Sequence, residues 1–391
     1  MYFSALSIIF IKVRINVKWE QRKLGEISTS FSGGTPSVKN KSYYGGKIPF
    51  IRSAEIHKDK TELFITENGL KNSSAKLIKK GTLLYALYGA TSGEVDVSNI
   101  DGAINQAIMA IFLQKDNVSF IKYYLEKNKY KIIAKYLQGG QGNLSASIIK
   151  SVHINLPFTE EQLKISNLIK KVESLISLQQ RKLEQLKQLK KAMLQQLFVD
   201  KNNKQPNSRF KNFKGNWEQH RLEEVAQVTM GQSPSSKNYT DNPNDYVLVQ
   251  GNADLKSNKI SPRVWTKEIT KQVHKGEIIM TVRAPVGYLA MANMDAVIGR
   301  GVAAIDGNKY LYYLLQTKLM DRTWEKLSSG STFESISSND IKNLEIKVTE
   351  TEEEKLITKL MNTVTYFVTL QKNNLTQLTT LKKYLLQNLF I

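Results

Sequence analysis

Cysteine is absent from the 391 residues of the sequence. Its absence excludes disulfides, thiol nucleophiles, cysteine-ligated zinc and iron–sulfur clusters, and it is typical of a protein from a reducing cytoplasm. Histidine is scarce as well, and the four present do not stand at the spacings that metal sites use: His57, His153, His220 and His274. We therefore expect no metal site and no thiol chemistry in this chain.

Signatures of nucleotide and methyl-transfer chemistry are also missing. No Gly-x-x-x-x-Gly-Lys-Ser/Thr loop occurs, so nothing indicates nucleotide hydrolysis. Residues 242–245, Asn-Pro-Asn-Asp, faintly resemble the Asn-Pro-Pro-Tyr motif of amino-methyltransferases, but they lack the aromatic side chain that would stack on a flipped base and have the composition of a turn. With no catalytic constellation and no cofactor site, the chain is predicted to bind rather than to catalyse.

A long apolar run is lacking too. The only candidate for targeting, residues 1–11, is too short to span a bilayer and has neither the basic start nor the small-residue cleavage site of a signal peptide. We interpret residues 1–17 as an irregular N-terminal segment or an edge strand, and we expect no membrane partner.

Acidic residues are few relative to basic ones: 35 Asp and Glu face 56 Lys and Arg, which gives a net charge of +21. An excess of this size favours a polyanionic partner, nucleic acid first and an anionic membrane surface second. The alternative is that the lysines serve only solubility.

What the chain does contain is a repeat of itself. Residues 19–27 recur as residues 217–225, and Gly-Gly-Thr-Pro-Ser at 33–37 recurs as Gly-Gln-Ser-Pro-Ser at 231–235. Residues 177–198 align without a gap on residues 369–390, with 12 of 22 positions identical. The front parts therefore diverge while the rear parts are nearly copied, as expected if the rear parts form one shared scaffold and each front part faces a different target.

These copies define the predicted domain organisation. After the segment 1–17 come a first mixed region, a long helix, a polar linker, a second mixed region and a second long helix: residues 18–157, 158–198, 199–215, 216–349 and 350–391. The fold class is therefore predicted to be α+β, with two pseudo-repeated mixed α/β domains separated by two long antiparallel coiled-coil helices. At about 1.5 Å per residue, each helix would span roughly 58 Å and act as a rigid spacer.

The helices are predicted to pair, because their apolar residues alternate at steps of four and three, the spacing of a coiled-coil seam. The predicted helix-pairing residues are Ile165, Ile169, Val172, Ile176, Gln179, Leu183, Leu186, Ile357, Met361, Val364, Val368, Gln371, Leu375 and Leu378. Gln179 and Gln371 are the polar members of the two seams. Our hypothesis is that they meet at the centre and fix the stagger of the helices; the alternative is a tolerated position at the rim.

Both mixed regions are predicted to alternate short strands and loops with one helix. Residues 81–87 and 276–282 have the character of strands, residues 119–138 and 309–327 have helical spacing, and residues 139–145 and 328–333 are small, polar loops.

Loop residues of these regions are suited to DNA. Arginine, glutamine and asparagine read base edges with paired hydrogen bonds, lysine contacts phosphates, and small hydroxyl residues let the backbone approach closely. Each candidate could equally be an ordinary solvated loop residue. The predicted DNA-binding residues are Thr35, Ser37, Lys39, Lys41, Arg52, Gln106, Gln141, Asn143, Ser233, Ser235, Lys237, Gln250, Asn252, Arg283, Arg300, Ser331 and Thr332.

The combination of motifs resembles a known family. Each half opens with Trp-Glu-x-x-x-Leu, continues with Gly-x-Thr/Ser-Pro-Ser and closes with Leu-x-x-Leu-Lys-Lys-x-x-Leu-Gln, and Pro-Phe-Thr-Glu-Glu-Gln at 157–162 leads into the first long helix. From about residue 18 onwards the chain resembles the specificity subunit of type I restriction-modification systems. The start of the second long helix departs from the pattern, since residues 349–352 lack the Pro and the Gln.

The resemblance implies a bipartite DNA target, each half read in the major groove by one target-recognition domain, with an unread spacer set by the helices. It implies two methyltransferase subunits that bring S-adenosylmethionine, and motor-nuclease subunits that bring ATP hydrolysis with Mg²⁺. None of that chemistry would reside in this chain, whose expected location is the bacterial cytoplasm.

Two other classes of function remain open. A tethering coiled-coil protein would bind any polyanion without sequence preference. A self-sufficient DNA methyltransferase or nuclease would show turnover by the isolated chain, against which the missing cofactor loop argues.

Overall fold

The computed structural model describes residues 19–137, 143–200, 202–328 and 335–390. The predicted irregular segment 1–17 lies outside these ranges. The chain forms two compact units, a first unit of residues 1–179 with 374–391 and a second unit of residues 180–373. The division between them falls inside each of the two long helices.

The first unit contains two four-stranded sheets. Its elements in chain order are β1 (Glu20–Lys23), α1 (Leu24–Ile27), β2 (Ser28–Ser32), β3 (Tyr44–Ile51), β4 (Phe64–Ile65), α2 (Glu67–Lys71), β5 (Lys76–Ile78), β6 (Leu83–Ala86), β7 (Val95–Val97), β8 (Gly102–Ile104), β9 (Ile108–Leu113), α3 (Val118–Leu137), α4 (Ala146–Lys150) and β10 (His153–Leu156). The sheets have the strand orders β2-β9-β6-β7 and β4-β3-β8-β5, and β1 pairs with β10. Within them β3 and β8 run parallel, and the other pairs are antiparallel.

The second unit repeats this plan. Its elements are β11 (Glu218–Arg221), α6 (Leu222–Val225), β12 (Val228–Met230), β13 (Tyr239–Thr240), β14 (Tyr246–Val249), β15 (Leu255–Lys256), β16 (Lys259–Ile260), β17 (Trp265–Thr266), β18 (Gln272–Val273), β19 (Ile278–Thr281), β20 (Leu289–Met291), β21 (Ala296–Ile298), β22 (Val302–Ile305), α7 (Lys309–Met320), α8 (Thr323–Ser328), α9 (Ser338–Lys342) and β23 (Glu345–Val348). Its sheets have the orders β12-β22-β19-β20 and β13-β17-β14-β21-β18, with β11 paired to β23 and β15 to β16.

The long helices are α5 (Thr159–Leu197) and α10 (Thr351–Leu389), each of 39 residues. Acidic residues occupy the first turn of both, where they oppose the positive end of the helix dipole. The α+β class and the two long helices are confirmed, as are the strands near residues 81–87 and 276–282 and the helix near 119–138. The helix predicted over 309–327 is wrong in one respect. It breaks into α7 and α8 around Arg322, whose φ of 59° is left-handed and ends the helical hydrogen bonding.

Inside each unit the start of one long helix and the end of the other share a core. In the first unit Ile165 and Ile169 of α5 lie in one apolar cluster with Phe390, whose ring centroid is 4.9 Å from that of Phe120. In the second unit Ile357 of α10 shares a cluster with Phe198, which follows α5. The helical segments therefore run antiparallel within each unit.

Every predicted seam position is at least half-buried. Gln371 is buried and Gln179 half-buried; that the two glutamines meet stays a prediction. Several leucines outside the seam positions are exposed: Leu163, Leu175, Leu178, Leu189, Leu356 and Leu370. The heptad rule therefore separates the seam residues from these exposed leucines.

Candidate nucleic-acid interface

Four strands of the second unit end beside one concave surface. β12 and β19 both pair antiparallel with β22, so they point the same way, and β14 pairs parallel with β21. The loops after these four strands line one open cleft of about 800 Å³. Because parallel strands present their carboxyl ends on one edge, residues far apart in sequence meet there. Six predicted DNA-binding residues are among those that line it: Ser233, Ser235, Gln250, Asn252, Arg283 and Arg300.

Close packing between two of these loops fixes the floor of the cleft. Gln232 N–H donates to the carbonyl of Ile298 at 2.9 Å, and Arg300 N–H donates to the Ser233 hydroxyl at 3.1 Å. Gly231 permits the approach, because a Cβ there would lie 2.2 Å from a carbonyl oxygen of the facing loop. The Gly-x-Ser-Pro-Ser segment, residues 231–235, thus holds the loop that carries Arg300 through these hydrogen bonds, and we call this segment the bracket.

Gln250 is held by two hydrogen bonds of its own. Its Nε2 donates to the Tyr239 hydroxyl at 2.8 Å, and its backbone N–H donates to the carboxylate of Asp254 at 2.8 Å. Asp254 also accepts from Gly251 N–H and from Arg263 Nε, at 3.3 and 3.0 Å. This buried carboxylate is therefore fully engaged by its own loop and by Arg263.

The cleft is left with an excess of positive charge. Arg283 and Arg300 are exposed, and within the described residues neither guanidinium has a carboxylate partner. Lys237 stands exposed in the 3₁₀ turn Ser236–Asn238, next to the cleft residue Ser236. Unpaired guanidinium groups beside serine hydroxyls and a fixed glutamine form a surface of donors suited to phosphate oxygens and base acceptors.

The first unit builds the same bracket. Gly34 N–H donates to the carbonyl of Ile104 at 3.2 Å, and the Thr35 hydroxyl is hydrogen-bonded to the Gln106 side chain. A Cβ on Gly33 would lie 1.9 Å from the Ile104 oxygen, so glycine is required here as at Gly231. Thr35 and Gln106 therefore meet as Ser233 and Arg300 do.

Arg52 has a different environment from its counterpart Gln250. Its guanidinium binds both carboxylate oxygens of Glu55 at 3.0 Å and one of Glu62 at 2.9 Å. Burial disfavours the charged form of Glu55, but the hydrogen bonds from Arg52 and from two backbone N–H groups outweigh burial and lower its pKa to about 2. Arg52 thus donates its hydrogen bonds to Glu55 and Glu62 within the first unit. That Arg52 contacts bases stays a prediction.

The remaining predicted residues are more scattered. Ser37, Lys39, Lys41 and Asn143 are exposed in loops, with Lys41 opening a 3₁₀ turn, Lys41–Tyr43. Gln141, Ser331 and Thr332 lie outside the described residues.

The chain is similar to known proteins over most of its length. The family model described as "Type I restriction modification DNA specificity domain" matches residues 16–188 and 214–380. The chain belongs to this family. A putative type I restriction enzyme specificity subunit, MjaX of Methanocaldococcus jannaschii, is 28% identical over 93% of this chain and 91% of its own length.

Two solved structures share the fold. A type I restriction-modification S subunit from M. genitalium matches with a TM-score of 0.66 at 16% identity over 97% of this chain and 98% of its own. A second chain, from a study of complex assembly and conformational transition of the type I system, matches with a TM-score of 0.63 at 22% identity over 95% and 97%. The prediction of a type I specificity subunit, a non-catalytic DNA-recognition component, is confirmed.

Three tyrosines of this specificity subunit were not singled out from the sequence. Tyr239 lines the cleft, and a tyrosine stands at the same place in the first unit, where the Tyr44 hydroxyl donates to the carbonyl of Pro36 at 2.6 Å. Tyr88 is the counterpart of Arg283, since the preceding N–H donates in both units to the loop that carries Gln106 or Arg300. The sequence does contain a signal for Tyr44 and Tyr239, because each directly follows a turn that carries a lysine. The signal was hidden because the two tyrosines do not stand at the same spacing from the preceding Pro-Ser in the two repeats.

Among the described residues, no helix is long and apolar enough to cross a membrane.

Proposed function

We propose that the chain recognises a bipartite double-stranded DNA target, with each unit reading one half-site through the loops that follow its parallel strands. The observation that carries this is the second-unit cleft, where loops after four strands bring together two exposed guanidinium groups that have no carboxylate partner in the part of the chain that the structure describes. Base edges offer acceptors in the major groove, and phosphates offer them along the rim.

Differences between the units support two unlike half-sites. Gln106 stands where Arg300 stands, and the ion-paired Arg52 stands where the neutral Gln250 stands. The backbone hydrogen bond from Gly34 to Ile104 recurs from Gln232 to Ile298, so the units hold these loops in a similar way while presenting different side chains. Different donor and acceptor patterns select different bases.

The long helices are the proposed docking surface for two methyltransferase subunits. Support comes from apolar side chains that the seam leaves in solvent: Leu175, Leu178, Tyr366, Phe367 and Leu370. Exposed apolar residues on a helix face favour association with another protein. S-adenosylmethionine would enter with these subunits, and ATP and Mg²⁺ with motor-nuclease subunits, in the bacterial cytoplasm.

The test is co-expression with a type I methyltransferase subunit of the same host, followed by mapping of methylated adenines on the genome. We expect a gapped two-part motif that disappears when this chain is omitted. Methylation that does not depend on the chain, or binding to any polyanion without sequence preference, would favour the tethering alternative. Turnover by the isolated chain would revive an enzymatic one.

A further inference from the structure

The residue at one position, 106 in the first unit and 300 in the second, differs in chemical type, although the backbone next to it is paired in the same way in both units. Gln106 and Arg300 both follow the strand that pairs parallel with the strand ending before Arg52 or Gln250. The residue before each is tied to that neighbour, with Asn105 N–H donating to Ile51 at 3.2 Å and Gly299 N–H donating to Val249 at 2.8 Å.

The bracket holds each residue at a defined place. In the second unit the Ser233 hydroxyl accepts from the backbone of Arg300, so the main chain is fixed while the guanidinium remains exposed and without a carboxylate partner among the described residues. In the first unit the Thr35 hydroxyl engages the side-chain oxygen of Gln106, which is exposed as well. An amide oxygen has two lone pairs, so Gln106 keeps one acceptor site and its NH₂ donors for another molecule.

We infer that this position determines which base each unit reads: Gln106 reads an adenine in one half-site, and Arg300 reads a guanine in the other. The inference rests on the proposed function and names the chemistry of its site. An arginine fork matches the O6 and N7 acceptors of guanine, and a glutamine amide matches the N6 donor and N7 acceptor of adenine. Because the main chain of Arg300 is already held, only its side chain has to be ordered on binding.

The rest of the cleft supports a base contact over a phosphate contact. Arg300 stands in a concave surface formed by four loops, whereas the lysine suited to phosphate, Lys237, lies on the neighbouring exposed turn. The corresponding 3₁₀ turn of the first unit, Lys41–Tyr43, also carries an exposed lysine, Lys41. Both units therefore offer a lysine for phosphate, whereas the residue at position 106 or 300 differs between them.

The experiment compares methylation motifs of the complex carrying wild-type chain, Arg300→Gln or Arg300→Lys. Wild type must first give a gapped motif; if it does not, the proposed function itself fails. Given that motif, we expect Arg300→Gln to relax or replace one guanine in one half-site and leave the other half unchanged. Arg300→Lys keeps the charge and can still donate to guanine O6 and N7 without the planar fork, so we expect it to retain the guanine with weaker binding.

Binding of the same complexes to duplexes gives the magnitude. For the wild-type target we expect Arg300→Gln to weaken binding by roughly 5- to 150-fold, and to have little effect on a duplex in which that guanine is already replaced. Arg221→Gln is the matched control, since Arg221 is exposed in the same unit and does not line the cleft. It should leave the motif unaltered.

Gln106→Arg provides the reciprocal test in the first unit. We expect one adenine of the methylation motif to be replaced in the half-site that Gln106 reads, and the half-site that Arg300 reads to remain unchanged. The inference is overturned if Arg300→Gln lowers methylation equally at all sites with the motif intact.

Discussion

The two long helices begin in different chemical surroundings. At the start of α5 the amide of Gln162, 1% exposed, donates to Asp116 at 2.8 Å and to the Pro157 carbonyl at 3.0 Å, and accepts from Asn117 N–H at 2.9 Å. At the start of α10 the equally buried Glu353 accepts from Arg209 Nε at 2.8 Å and Nη2 at 2.7 Å. One helix start is held by a buried neutral amide that bonds to a carboxylate, a carbonyl and an N–H, and the other by a buried ion pair.

The difference shows that a copied scaffold does not need copied contacts. The departure of residues 349–352 from the sequence pattern is balanced by Arg209, which belongs to the segment before the second repeat and reaches Glu353 from 144 residues away. Burial opposes the charge of Glu353, but the Arg209 guanidinium outweighs it and lowers the pKa of that carboxyl. The buried polar side chain at the start of each helix has hydrogen-bond partners. We expect the loss of unfolding free energy to differ between the two helices when those partners are removed.

The largest effect is expected from Arg209→Met, which leaves the Glu353 carboxylate buried without its cation. We expect a loss of about 3–5 kcal/mol in the unfolding free energy of the second unit. The measurement is hydrogen exchange of the full chain, resolved between the two units. In the double variant with Glu353→Met, much of the loss should be recovered; equal loss in both variants would show that packing rather than charge is responsible.

Gln162→Ala should cost less, about 1–3 kcal/mol in the first unit, because it removes a neutral amide and the one carboxylate that loses a hydrogen bond, Asp116, is only half-buried. Hydrogen exchange again gives the value, and exposed Lys170→Ala, in the part of α5 that belongs to the first unit, is the control. A loss as large as that of Arg209→Met would remove the distinction between the two helix starts.

Acid should affect the Arg52–Glu55 pair of the first unit in a defined window. The folded state lowers the Glu55 pKa from 4.5 to about 2, so its contribution to stability is present above pH 4.5 and is lost as the pH falls toward 2. Arg52→Gln, which copies the residue found at position 250, should make the first unit less stable at neutral pH and less sensitive to acid. Acid titrations of both chains followed by circular dichroism test this; parallel curves would contradict it.

The smallest effect concerns His57, half-exposed in the first unit. Its Nδ1 lies 2.7 Å from Asp96 and its Nε2 3.1 Å from Glu94, and the hydrogen bond to Asp96 raises the His57 pKa above 6.5. Stability from this pair is complete below pH 6.5 and falls as the pH rises through the raised value. His57→Gln should flatten that slope. The same substitution at exposed His153 should not, and a flat wild-type profile would refute the prediction.

Much of this fold is visible in the sequence because it depends on local period and repetition. The heptads of α5 and α10 and the recurring Gly-x-Thr/Ser-Pro-Ser segment needed no knowledge of distant contacts. Six residues of the second-unit cleft were chosen for their side-chain chemistry, and the structure places them together.

What the sequence did not reveal depends on partners far along the chain. The parallel pairing of β14 with β21 joins residues about fifty positions apart, and Arg209 gives no local sign that it binds Glu353. Arg52 was selected for its type alone, while Glu55, three residues on, takes its donors. The break at Arg322 is a backbone conformation that residue type does not favour, so periodicity could not locate it.

The packing of Phe390 and Phe198 also sets an order of events during synthesis. The part of α5 that belongs to the second unit, and Phe198 after it, are translated before the rest of that unit. The first unit also needs residues 374–390, which are translated only after the whole of the second unit. The domain begun first is thus finished last. A chain whose translation stops early would leave Phe120 and its neighbours without their cover, and we expect such a chain to be removed by proteolysis before it competes for DNA.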